Sequence, residues 1–129
     1  MAKRILIADD SAAQRKIMVS CLRGLGLEVL QAEDGEEALS LAIGARPDVV
    51  ILDWMMPGYS GLEVAARLRD SSDLAEVPIV LVTARDQERD EAAATIAGVT
   101  RYLRKPFASS DLSNLVHSLL DPQPTAEPV

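Results

Sequence analysis

Asp9, Asp10, Asp53, Thr83 and Lys105 are the residues of this chain whose types and settings could do chemistry together. Each stands at or just past the end of a short apolar run. Asp9 and Asp10 follow residues 5–8, Asp53 follows 49–52, Thr83 follows 77–82, and Lys105, itself followed by Pro106, comes after 99–103. Carboxylates gathered in one place repel unless a cation lies among them. Oxygen donors with no His or Cys nearby select a hard ion such as Mg²⁺. Mg²⁺ takes few carboxylates and keeps several waters, which leaves room for phosphate oxygens. An ammonium and a hydroxyl could contact the remaining oxygens of that phosphate, and a carboxylate facing them could be the nucleophile that becomes an acyl phosphate. Phosphoryl transfer rests mainly on positioning and charge neutralisation, which this set supplies.

For these residues to meet, the runs that precede them must be strands ending at one edge. The five runs, with 27–30 as the second, are mostly continuous rather than alternating, as in strands buried on both faces of a parallel sheet. Helical patterns lie between them. Ser11 with Gln14 fits a capping box, followed by Ile17, Met18, Cys21, Leu22 and Leu25 at helical spacing until Gly24 and Gly26 end the segment. Asp34 with Glu37 caps the next, which turns Ala38, Leu41, Ala42 and Ala45 inward. Ser60 with Glu63 caps a third, with Leu62, Ala65 and Leu68 on one face. Asp86 opens a fourth, Ala-rich and weakly apolar, through Ile96. The last starts near Ser109 and carries Leu112, Leu115, Val116 and Leu119 as one stripe. Strand and helix alternate five times, which requires parallel pairing and right-handed crossovers. The expected fold is a doubly wound α/β, flavodoxin-like, five-stranded parallel sheet of order 2-1-3-4-5 with five helices, and such sheets bind ligands outside the carboxyl ends of their strands.

Composition agrees with one domain. The chain has 129 residues, 48% hydrophobic and only 3% aromatic, so its core must be aliphatic. A net charge of −7 argues against direct binding to a nucleic-acid backbone. The single cysteine, Cys21, excludes a disulfide within the chain, in keeping with a reducing compartment. No apolar run approaches the roughly 20 residues of a membrane helix, and no export signal is visible, so a cytoplasmic location is expected. Residues 1–120 form the expected domain, and 121–129, with Pro122, Pro124 and Pro128, read as a Pro-rich tail or the start of a linker.

Taken in order, Asp9-Asp10, Asp53-Trp54-Met55-Met56-Pro57-Gly58 with Gly61, Thr83-Ala84 and Lys105-Pro106-Phe107 resemble the receiver domain of two-component response regulators, of the chemotaxis-type receiver family. The resemblance extends over about residues 3–120. It implies that Asp53 is the phosphoacceptor. It implies that Asp10, Asp53 and the Met55 backbone carbonyl hold Mg²⁺, with Asp9 in the outer shell. Lys105 would bond the phosphoryl group across a cis Lys105–Pro106 peptide, Thr83 would be the switch hydroxyl, and Tyr102 the rotating aromatic. The implied donor is a sensor histidine kinase or phosphotransfer protein. The implied reader is a downstream effector protein or domain, with a phosphorylation-dependent homodimer as a further option. Met55 and Arg85, two places after Asp53 and Thr83, should rim the site and could slow loss of the phosphoryl group. Trp54 is expected to be partly exposed beside the site, His117 to be neither phosphoacceptor nor ligand, and Arg67 and Arg69 to be solvated.

Other readings have specific obstacles. An aspartyl-phosphate phosphatase of the haloacid dehalogenase class would want a second Asp at position 55, where Met55 stands. A flavin mononucleotide protein would want hydroxyls, not Asp9-Asp10, after the first strand. A pseudo-receiver, binding partners without phosphorylation, would have no need of the intact acidic pair, acceptor and lysine.

Overall fold

The computed structural model describes residues 2–84 and 97–120. Its elements are β1 (Arg4–Ala8), α1 (Ala12–Cys21), β2 (Glu28–Ala32), α2 (Gly35–Ala45), β3 (Val49–Asp53), α3 (Gly61–Arg69), β4 (Ile79–Thr83), β5 (Arg101–Arg104) and α4 (Ser109–Leu120). Four of the five expected helices thus fall among the described residues. The helix expected from Asp86 through Ile96, the rim residue Arg85 and the segment 121–129 lie outside them. No helix of the described residues is long and apolar enough to cross a membrane.

All strand pairs are parallel, in the order β2-β1-β3-β4-β5. The central strands β3 and β4 are buried at every position, which explains their unbroken apolar sequences, whereas the edge strands β2 and β5 each keep two exposed residues. Alternate residues divide between two layers. Leu6, Val50, Leu52, Ile79 and Leu81 face Ala38 and Ala42 of α2 and Val64, Ala65 and Leu68 of α3. Ile5, Ile7, Val49, Ile51, Val80 and Val82 face Met18 and Leu22 near α1 and Leu112 and Val116 of α4.

The helix starts follow the caps written in the sequence. Ser60 and Glu63 form a reciprocal capping box at α3. Ser11 and Asp34 accept from the backbone N–H three residues on, Gln14 and Glu37 respectively. At α1 the reciprocal bond is diverted, because the Ser11 N–H donates to the Asp9 carboxylate instead. Ile17, expected on the inner face of α1, is 50% exposed. Met18 and Leu22, one position on, take the core places, so the buried stripe is narrower than the run of apolar residues.

Candidate functional site

Register brings the site together. Ala8 lies opposite Leu52, so Asp9 and Asp53 continue neighbouring strands at one level. Asp53 lies opposite Val82, and Thr83 opposite Arg104, so Thr83 and Lys105 each stand one step further along. A shared backbone bond, Lys105 N–H to the Thr83 carbonyl at 2.8 Å, fixes that last step. The Lys105–Pro106 peptide is cis. The loop that leaves Asp53 returns at once. Gly58 has a left-handed φ of 74°, and the Gly61 N–H donates to the Trp54 carbonyl at 2.9 Å. A Cβ on Gly61 would collide with the Asp53 carbonyl oxygen, so α3 can start against the end of β3 only with glycine there.

The Lys105 ammonium stands 3.3 Å from Asp9 Oδ2 and 3.4 Å from Asp53 Oδ1. Asp9 and Asp53 are buried, while Asp10 is exposed. One carboxylate oxygen from each of the three aspartates lies within 4.8 Å of the others. Burial, then the charge of Asp9, pushes the Asp53 carboxyl up from 3.8 to about 6, against the opposing pull of Lys105 and with a smaller push from Asp10. Three carboxylates share the one ammonium of Lys105, which leaves the cluster net negative when all are ionised. An acidic, all-oxygen cluster with a residual charge deficit fits a hard divalent cation. Asp9 is held on its other oxygen by the Ser11 N–H at 2.9 Å, as suits a group that orders the site rather than one free to turn.

Thr83 is buried at the end of β4. Met55 follows Trp54 on the loop after β3 and is 63% exposed. Tyr102 is half-buried on β5, and its ring meets Trp54 edge to face. That contact corrects the expectation for Trp54, which is buried at 7% exposure because Tyr102 and the α3 layer cover it. His117 is exposed on α4, away from the acidic cluster.

Sequence reading passed over Arg15. Its guanidinium reaches back over the first turn of α1 and donates to the Asp9 carbonyl at 2.7 Å and to Gln31 Oε1 at 3.2 Å. The available signal was a long basic side chain one turn inside the helix that follows the acidic pair, since helical side chains lean towards the N-terminus.

Comparison with known proteins identifies the family. The family model for the response regulator receiver domain matches residues 5–117. The chain belongs to the response regulator receiver family. This receiver is 36% identical over 112 residues to the phosphate regulon transcriptional regulatory protein PhoB of Pseudomonas aeruginosa, covering 87% of this chain and 49% of that one. It is 43% identical over 120 residues to the response regulator MprA of Mycolicibacterium vanbaalenii, covering 93% of this chain and 51% of that one. The receiver thus spans about half the length of these curated relatives. Among solved structures, the chemotaxis protein CheY4 of Vibrio cholerae superposes with a TM-score of 0.87 at 32% identity, covering 93% of this chain and all of that one. The receiver domain of NarL from Mycobacterium tuberculosis gives 0.85 at 28% identity, covering 95% and 98%. Chemotaxis and transcriptional regulators both stand among these relatives, so the likeness extends to the receiver family as a whole and not to its chemotaxis-type members in particular.

Proposed function

We propose that Asp53 of this receiver accepts a phosphoryl group from the phosphohistidine of a sensor histidine kinase or phosphotransfer protein, and that the acyl phosphate changes a surface read by an effector. The observation that carries this reading is the Asp53 carboxylate at a strand end, in contact with Lys105 and within reach of Asp9 and Asp10. An Asp53 carboxylate oxygen attacks phosphorus, the P–N bond breaks, and the imidazole leaves with its electron pair and takes up a proton. Asp10, Asp53 and the Met55 backbone carbonyl would hold Mg²⁺, with Asp9 bonding through its water. When bound, Mg²⁺ offsets the negative charge of the carboxylates and the transferring group. Lys105 passes from its place between Asp9 and Asp53 to a phosphoryl oxygen, and the Thr83 hydroxyl turns towards another. Tyr102 follows into the space that Thr83 vacates, and the face around β5 and α4 changes shape.

The receiver acts on no separate metabolite; its chemistry is confined to its own phosphorylation and hydrolysis. The altered face docks an effector protein or domain, or a second phosphorylated copy. The net charge of −7 directs the chain to protein partners rather than nucleic acid, in the cytoplasm. The exposed Met55 side chain shields the acyl phosphate and lengthens its life.

Phosphotransfer tests the reading. A labelled phosphohistidine protein mixed with the receiver and Mg²⁺ should pass its label to the wild type and not to Asp53→Asn. The transferred label should be lost at alkaline pH, as an acyl phosphate is. Label retained by Asp53→Asn would overturn the assignment.

A further inference from the structure

Of the three aspartates, Asp10 has the least to hold it. Asp9 is fixed on one carboxylate oxygen by the Ser11 N–H and on the other by Lys105, and Asp53 is held by Lys105. Among the described residues no hydrogen bond or ion pair engages the exposed carboxylate of Asp10. Its position therefore depends on the backbone that carries it. The Asp9 carbonyl lies in the same rigid peptide plane as the nitrogen and Cα of Asp10. Whatever fixes that carbonyl fixes the base from which the Asp10 side chain projects.

The carbonyl is fixed by Arg15. One arm of the guanidinium donates to it at 2.7 Å, the shortest contact the guanidinium makes, and Nε donates to Gln31 Oε1 on β2 at 3.2 Å. The Asp9 N–H, on the other side of the residue, donates to the Ala32 carbonyl of the same strand at 3.1 Å. Both ends of Asp9 are thus tied to β2, one directly and one through a planar fork that spans two acceptors. A guanidinium does this where an ammonium would not, because its donors are rigid and set apart.

We infer that Arg15 is a positioning residue for the metal site, holding the Asp9–Asp10 peptide plane so that the Asp10 carboxylate stands ready for the cation. This inference rests on the Mg²⁺ reading of the site. It makes a prediction whose sign separates it from simple electrostatics. Removing a positive charge near an acidic cluster should tighten cation binding by Coulomb's law alone. Releasing the peptide plane should weaken it, because supporting partners of metal ligands typically carry about tenfold or more in affinity.

The test is a Mg²⁺ titration at constant ionic strength, followed by Trp54 fluorescence, on wild type, Asp10→Asn, Arg15→Met, Arg15→Lys, Gln31→Ala and the double variant Arg15→Met with Gln31→Ala. Stability in Mg²⁺-free buffer is measured alongside by urea unfolding. Wild type should respond and Asp10→Asn should not; a silent wild type would remove the metal site itself and the inference with it. With the wild type responding, Arg15→Met should raise the Kd about tenfold. Gln31→Ala, which changes no charge, should raise it by less, and its effect should vanish in the Arg15→Met background. An Arg15→Met Kd equal to or below wild type would overturn the inference. Should Arg15→Met fail to fold, Arg15→Lys and Gln31→Ala decide: a raised Kd in both supports the role, and an unchanged Kd in both rejects it.

Discussion

The Trp54 indole meets the Tyr102 ring edge to face, with centroids 6.4 Å apart and planes at 83°. This contact joins the residue that follows Asp53 to the edge strand β5, on which the proposed switch aromatic stands. Such pairs contribute about 0.5–1.5 kcal/mol beyond their buried area, enough to bias a side chain with two resting places. Beryllofluoride added with Mg²⁺ should therefore change Trp54 emission in the wild type. Tyr102→Leu should lose most of that second change while keeping the first response to Mg²⁺ alone. A full beryllofluoride response in Tyr102→Leu would take Tyr102 out of the switch.

The Asp53 carboxyl, pushed up from 3.8 to about 6 chiefly by burial, makes stability depend on pH in a defined direction. Between those values the folded protein holds more protons than the unfolded chain, so the contribution of Asp53 to stability falls as pH rises and the cost is complete above about pH 6. Without divalent ions, Asp53→Asn should be more stable than wild type at neutral pH by about 1–2 kcal/mol. The gain should vanish in acid below the ordinary carboxylate range, and saturating Mg²⁺ should close or reverse it by binding the wild type. Urea unfolding at acid and neutral pH, with and without Mg²⁺, measures all of this; an Asp53→Asn variant no more stable at neutral pH would contradict it.

Lys105 neutralises the carboxylates that a metal ion would also neutralise, from 3.3 Å at Asp9 and 3.4 Å at Asp53. Lys105→Met should bind Mg²⁺ roughly threefold to tenfold more tightly, since a competing cation is gone. The same variant should lose the fluorescence change caused by beryllofluoride, because nothing draws the phosphoryl mimic towards β5. Weaker Mg²⁺ binding in Lys105→Met would mean that the ammonium orders the site more than it competes for it.

Arg69 ties together three parts of the chain at the end of the sheet remote from the site. Its guanidinium donates to the carbonyls of Gly98 at 2.9 Å and of Leu74 and Ala75 at 3.2 Å, and to Thr100 Oγ1 at 3.3 Å. Burial lowers its pKa. Arg69→Met should cost about 2 kcal/mol of stability through the stranded carbonyls. Gly98 has a left-handed φ of 92°, and a Cβ there would stand 2.7 Å from Arg69 Cγ, so Gly98→Ala should cost about 1–2 kcal/mol. The two losses should fall short of adding, because the residues touch. Chemical denaturation of the two variants and their double mutant tests this.

The sheet and the convergence of Asp9, Asp53, Thr83 and Lys105 were legible in the sequence because a parallel sheet sends every strand end to one edge, and local caps such as Ser60 with Glu63 announce the helices between. What was not legible depends on partners distant in the chain. Arg69 reads as a solvated helix residue until Gly98 and Thr100 arrive beside it. Trp54 reads as partly exposed until Tyr102 covers it from another strand. Ile17 reads as core because its neighbours are apolar, and only the packing of Met18 and Leu22 shows which side of α1 is turned in. Arg15 escaped notice because its acceptor is a backbone carbonyl, which no residue type advertises.

The central claim is that Asp53 itself takes the phosphoryl group, and intact mass measurement after incubation with acetyl phosphate and Mg²⁺ tests it most directly. The wild type should gain the mass of one phosphoryl group, the gain should require Mg²⁺, and Asp53→Asn should show none. No gain in the wild type, or an equal gain in Asp53→Asn, would contradict the account.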